Sequence, residues 1–277
     1  MLLLALDTSN RRASIALCSK DDVYGEYTWH IGNNHSVELL ERIQRLVTEC
    51  GITMTQIDGI AVATGPGSFN GVRVGLATAK TLAFVLQKPL FGISTLDVLA
   101  AQQQQAPQLL CVVMEAGRSE LYAACYQSTM QIMERGDVRY TQTRLSDYVV
   151  LAPAQLAELV RVQIGSWTRL SDESQMPPLL FCGEISEVSR QELYTHLNTR
   201  SLFLSNVQST RHASILAALA FQRWQEGKVD DPLLLEPLYL RRPSITTSTR
   251  KRPLLGTTSQ RPLGQSHTER EEGAVRN

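Results

Sequence analysis

No lysine closes the glycine-dense turn of this sequence, no two histidines stand one helical turn apart, and no two cysteines are separated by two residues. Each absence removes a class of chemistry. A P-loop needs Gly, four residues, then Gly-Lys-Ser/Thr, and the first lysine after Gly65-Pro66-Gly67-Ser68-Phe69-Asn70-Gly71 is Lys80. A dinucleotide fingerprint wants glycine at Asn70 and an acid closing the next strand, and residues 84–93 hold no acid. His30 and His35 straddle a Gly-Asn-Asn turn, and His196, His212 and His267 stand alone, so no helix offers a zinc pair. Cys18, Cys50, Cys111, Cys125 and Cys182 fit reduced, buried thiols of a cytosol better than a disulfide frame. Residues 1–6 are apolar but too short for a signal or membrane segment, so neither secretion nor anchoring is expected. The 27 basic residues balance 27 acidic ones, which argues against binding nucleic acid by bulk charge alone.

The pattern that remains is that of a globular α/β chain. Residues 59–63 read as a buried strand; Val72, Leu76, Ala79 and Ala83 then recur at helical spacing. The glycine turn between them leaves helical amides unpaired, an anion site in principle. Gly71, Gly75 and Ala79, spaced by four, form a small-residue ridge that lets another backbone approach, and it is expected to be a docking surface. Upstream, residues 2–6, 12–18 and 23–29 predict three meandering strands. Ser36 reads as the N-cap of a helix with the apolar stripe Leu39, Leu40, Ile43, Leu46 and Val47.

Residues 89–93 predict a further strand and then a helix. This order is that of the actin, sugar-kinase and Hsp70 type of lobe. A polar run at 102–105 with Pro107 marks a boundary. Strands at 109–114, 120–126 and 130–134, a helix at 153–162, a strand at 179–182 and a partly helical 184–197 predict a second, smaller lobe over 107–208. Residues 171–178 read as a loop. A helix at 213–224 and the segment 236–241 then return to the first lobe, residues 1–101. From 242 to 277 the text is rich in Ser, Thr and Arg with few large apolar side chains, and predicts a disordered basic tail. The fold class is therefore a two-lobed, actin-like α/β fold with mixed sheets flanked by helices.

Several segments together resemble the TsaB family: Leu6-Asp7-Thr8-Ser9; His35-Ser36; the glycine turn through Arg73-Val74-Gly75-Leu76-Ala77-Thr78-Ala79-Lys80; Ser94-Thr95-Leu96; Glu115 to Tyr122; and Glu236-Pro237-Leu238-Tyr239-Leu240-Arg241. Asn70, Val72, Glu115 and Gly117 depart from the family's usual residues. The resemblance implies a cytoplasmic, non-catalytic subunit of the machinery that places threonylcarbamoyl on the adenosine beside the tRNA anticodon. It implies pairing with a TsaD-like catalytic subunit and a TsaE-like ATPase, contact with tRNA only through the complex, and a homodimer when alone. No cofactor is expected on this chain, ATP and metal being left to the partners.

The pairing surface it implies is a bundle of the first two helices, residues 36–50 and 68–86. That surface includes Leu39, Leu40, Ile43, Leu46, Val47, Phe69, Gly71, Val72, Gly75, Leu76 and Ala79, so that a bulky residue at Gly75 should block pairing and leave the chain folded. Asp7, Gly65, Gly67 and Ser68 are the candidates for a vestigial phosphate contact. Two other readings stand beside this one: an independent ATP-using phosphotransferase with Asp7 as its metal-linked acid, and a metallopeptidase.

Overall fold

A computed structural model describes residues 1–31, 35–103, 108–132, 138–168, 179–197 and 201–241. Of the expected boundary at 102–105 with Pro107, residues 104–107 lie outside the described residues, as do the loop at 171–178 and the tail at 242–277. The first sheet has the order β3-β2-β1-β4-β5, built from β1 (Leu2–Asp7), β2 (Arg12–Ser19), β3 (Val23–His30), β4 (Gly59–Gly65) and β5 (Leu90–Ser94). β1, β2 and β3 pair antiparallel through short turns, and β4 and β5 join parallel to β1. A parallel neighbour needs a helical crossover, which α1 (His35–Glu49) and α2 (Phe69–Leu86) supply.

Both faces of this sheet are covered, which is why β1 and β4 read as continuous apolar runs without alternation. On one face Leu4, Leu6, Ile15 and Leu17 pack against Leu39, Ile43, Leu46 and Val47 of α1 and Leu76, Ala79 and Ala83 of α2. On the other, Leu3, Ala5, Ala16 and Phe91 meet Leu216, Ala217, Ala220 and Phe221 of the last helix, α6 (Ala213–Gln225).

The second sheet runs β11-β10-β6-β7-β8, from β6 (Gln108–Gly117), β7 (Glu120–Ile132), β8 (Val138–Arg144), β10 (Leu179–Glu184) and β11 (Ser201–Phe203). The short β9 (Val149–Leu151) pairs with β7. α4 (Pro153–Thr168) and α5 (Glu187–Leu197) cover one face. α3 (Thr95–Ala101) leaves the first sheet and places Leu96, Leu99 and Ala100 on the other, so the two sheets share one helix.

Three expectations change in detail. β7 is a single strand where two were expected, because nothing in Gln127-Ser128-Thr129 forces a turn and Ser128 is buried. α1 starts at His35, one residue before the expected cap. Glu184 ends β10 and is not helical.

α6 begins without a side-chain cap of its own at His212. Its first amides are satisfied from the sheet instead: Ala213 N donates to Ser14 Oγ at 3.1 Å, and Ser214 N and Oγ donate to the Glu26 carboxylate at 3.2 and 3.0 Å. A carboxylate at a helix N-terminus also opposes the helix dipole favourably. Glu26→Ala should therefore lower unfolding stability by about 1–2 kcal/mol, measured by urea titration, far more than an exposed edge-strand substitution would.

Candidate functional site

The end of β1 carries Asp7 into the turn before β2, and the carboxylate there is 1% exposed. A buried charge of this kind is tolerated only when paired and hydrogen-bonded. Locally, Ser9 N and Ser9 Oγ donate to Oδ1 at 2.8 and 2.6 Å. The charge itself is met by Arg211, just before α6, whose Nε donates to Oδ2 at 2.8 Å. Arg211 is only 2% exposed, and its remaining nitrogens are used too. Nη1 reaches Glu184 Oε1 at 2.6 Å, and Nη2 reaches the Arg12 carbonyl at 2.8 Å. Glu184 stands at the end of β10 in the second sheet, and its other oxygen accepts from Asn10 Nδ2 at 2.6 Å. Burial by itself would lower the guanidinium's pKa. The charges of Asp7 and Glu184 outweigh it and hold the group above its ordinary value.

This triad occupies the place where the phosphotransferase reading needs a cation. Asp7 was the candidate for a metal-linked acid, and a guanidinium fixed by three hydrogen-bond acceptors on three segments stands against it instead. Among the described residues no group of three or more His, Cys, Asp or Glu side chains converges as a metal site would require.

The glycine turn is closed in a matching way. Ser68 N donates to the Ser9 carbonyl at 2.6 Å, Gly71 N to Ser68 Oγ at 3.4 Å, and Val72 N to the Ser68 carbonyl at 2.9 Å. Gly65, with φ +99°, makes the bend, and Gly67 lies so close to the β1–β2 turn that a Cβ on it would sit 2.0 Å from the Ser9 oxygen. Of the four vestigial-phosphate candidates, Gly67 and Ser68 both meet Ser9, and Ser9 in turn binds Asp7.

The small-residue ridge belongs to the same contact, which corrects the docking role expected of it. A Cβ on Gly71 would meet the Thr8 carbonyl oxygen at 2.1 Å, and one on Gly75 would meet Thr8 Oγ1 at 2.3 Å. Thr8 Oγ1 donates to the Gly71 carbonyl at 2.7 Å, a bond possible only at this approach. Ala79 is fully buried against the sheet, and so are Leu39, Ile43, Leu46, Val47, Val72 and Leu76. These residues are interior, and a bulky side chain at Gly75 would strike the β1–β2 turn before any partner. Of the eleven expected interface positions, Leu40 and Phe69 remain exposed, Phe69 stacked on Tyr239 at 5.2 Å between ring centroids.

Sequence reasoning missed Arg211 and Glu184. One signal was available: a carboxylate closing an apolar strand requires a cation, although nothing local says which arginine supplies it across 204 positions. Arg211→Ala strands two carboxylates, one wholly buried, and should cost about 3–5 kcal/mol in chemical unfolding. Gly71→Ala should be at least as harmful, because its Cβ meets backbone that cannot yield; loss of soluble protein or a collapsed melting temperature would register it.

A family model described as TsaD: tRNA N6-adenosine threonylcarbamoyltransferase matches residues 30–243. The tRNA threonylcarbamoyladenosine biosynthesis protein TsaB of Bacillus subtilis (strain 168) is 31% identical over 241 residues, covering 87% of this chain and 94% of that one. A tRNA N6-adenosine threonylcarbamoyltransferase of Methylorubrum extorquens (strain PA1) is 40% identical over 105 residues, 36% of this chain and 30% of its own length. Among solved structures, YeaZ from Pseudomonas aeruginosa matches with a TM-score of 0.63 and 27% identity, covering 86% of this chain and 99% of that one. By overall coverage and identity, the chain belongs to the TsaB family, within the wider group that the threonylcarbamoyltransferase model describes.

Proposed function

We propose that this chain is a non-catalytic subunit of tRNA threonylcarbamoyladenosine biosynthesis, which binds and activates a threonylcarbamoyltransferase of its own fold family. The observation that carries this reading is the committed ion pairing at the end of β1: Arg211 lies between Asp7 and Glu184, and at the glycine turn Ser68 N is spent on the Ser9 carbonyl. A chain built this way contributes through its surface. ATP and metal chemistry then fall to the partners, a TsaD-like transferase and a TsaE-like ATPase, and tRNA is reached through the complex. The place of work is the cytoplasm, consistent with the lack of any described helix long and apolar enough to cross a membrane. Alone, the chain pairs with itself through the same face.

The face in question is the outward side of α1 and α2. Leu40, Gln44 and Thr48 are exposed at spacing four on α1, as are Arg73, Ala77, Thr81 and Val85 on α2. A groove of about 450 Å³ opens beside them, lined by Leu40, Ile43, Val47, Ile52, Met54 and Leu82. Small residues at the middle of the α2 stripe allow a second helix to approach, and the groove receives an apolar side chain from it, the arrangement of an interface hot spot.

Reconstitution of the tRNA modification from purified components, with and without this chain, tests the proposal. Modification should require the chain, and the chain alone should be inert. Ala77→Arg should melt like wild type yet weaken pairing with the transferase by at least about tenfold in calorimetry. Micromolar ATP binding to the isolated chain, abolished by Asp7→Ala, would instead support the phosphotransferase reading and overturn this one.

A further inference from the structure

We propose that Cys111 and Cys125 form a redox couple in the second sheet, oxidised by hydrogen peroxide to a disulfide that joins β6 to β7, an inference that does not depend on the function proposed above. The two stand directly opposite in the antiparallel register of these strands, and both side chains lie wholly buried in the cluster covered by α4 and α5. Cys125 spends its backbone on the far side of β7: its N donates to Ser146 Oγ at 3.0 Å, and its carbonyl accepts from Leu145 N at 2.8 Å. With respect to β6 the pair is therefore a non-hydrogen-bonded one. In such pairs the Cα atoms approach to about 4.5 Å, at the short end of what a disulfide spans. Cys182, the third cysteine of the sheet, packs in the cluster on the opposite face and does not compete for either thiol.

Position also separates Cys125 from the other buried thiols. The ladder of β7 with β8 ends at Tyr126 and that with β9 at Ala123, so Cys125 falls in the gap between them, where residues 145–148 join β8 to β9. A cavity of about 490 Å³ opens on this segment, lined by Leu145, Ser146, Asp147, Val149 and Leu159. Ser146 both lines the cavity and binds Cys125 N, so displacement of this one segment opens Cys125 to a water-sized oxidant. A hydrogen bond from the Cys111 thiol holds the Cys125 thiol below its ordinary pKa against the effect of burial, whereas burial pushes Cys182 up to about 12. Since the thiolate is the nucleophile, Cys125 attacks first. Its sulfur bonds one peroxide oxygen, the O–O bond breaks, and the thiol proton leaves with the other oxygen as water, giving a sulfenic acid. Cys111 Sγ then attacks that sulfur; the S–S bond forms, the S–O bond breaks, and the Cys111 proton leaves with the hydroxide as a second water. Two electrons pass from the thiols to the peroxide.

The test treats the folded full chain with hydrogen peroxide after alkylation of Cys50, the one cysteine that is not buried, and maps every cysteine by mass spectrometry without reduction. A peptide pair joined through Cys111 and Cys125 should accumulate at least about tenfold faster than any oxidation of Cys182, and dithiothreitol should return both thiols without unfolding. In Cys111→Ala, a sulfenic acid should be trapped by dimedone at Cys125. Cys111 and Cys125 still free when Cys182 has reacted would overturn the proposal. So would a crosslink that forms only after unfolding in urea, or oxidation at Cys125 with no bond to Cys111 in the wild-type chain. The wild-type map decides without any variant, so a poorly folded Cys111→Ala would not spare it.

Discussion

The pairing of Arg211 with Asp7 and Glu184 is the interaction on which the arrangement of this molecule depends. Asp7 ends the central strand of the first sheet, Glu184 ends a strand of the second, and Arg211 leads into the helix that covers the first. One guanidinium therefore fixes three segments, and its removal leaves two carboxylates, of which Asp7 cannot be rehydrated without opening the structure. A buried pair is weak evidence of net stability, because desolvation offsets most of its attraction. What it does define is placement, since Nε, Nη1 and Nη2 of Arg211 each meet an acceptor on a different segment. The Glu26 and Ser14 contacts at the first amides of α6 define the same placement from the sheet side.

The glycine turn is the second half of that constraint. Gly67, Gly71 and Gly75 allow α2 to lie directly on the turn between β1 and β2, so close that Ser9 and Thr8 fill the space a side chain would need. The same turn holds Asp7 through Ser9. A phosphate at this point would have to displace the Ser9 carbonyl from Ser68 N and lie near the Asp7 carboxylate, whose cation Arg211 is already committed. Glycines that cradle an anion and glycines that admit a neighbouring backbone look alike in a sequence; the difference lies in what stands opposite.

That distinction marks how far the residues could be read alone. The strand and helix order of the first lobe was legible because its periodicities are long and its strands are bounded by turn residues. α2 was recoverable from the helical spacing of Val72, Leu76, Ala79 and Ala83. β8, β9 and β11 were not, since short strands of mixed polarity such as Val138–Arg144 take their character from pairing with a neighbour. For the site, Asp7 was legible as an anomaly in an apolar strand, but its partner was not, because ion pairing across two lobes leaves no periodic trace. The ridge of Gly71, Gly75 and Ala79 was legible as a close approach with its direction reversed: spacing gives the face of a helix, and only packing tells whether that face looks inward.

Reversal of the ridge changes which residues can carry a function expressed through contact. α2 has one face of glycines committed to Thr8 and an opposite one of Arg73, Ala77 and Thr81 turned to solvent. The inward face holds the helix rigidly on the sheet, so that the outward face is presented without loss of backbone entropy on binding. Under the proposed scaffold role such pre-organisation is what the subunit offers, because its contribution to the reaction is then the geometry it imposes on a partner. The close-packed glycine turn and the open helix face are therefore two consequences of the same contact between α2 and the β1–β2 turn.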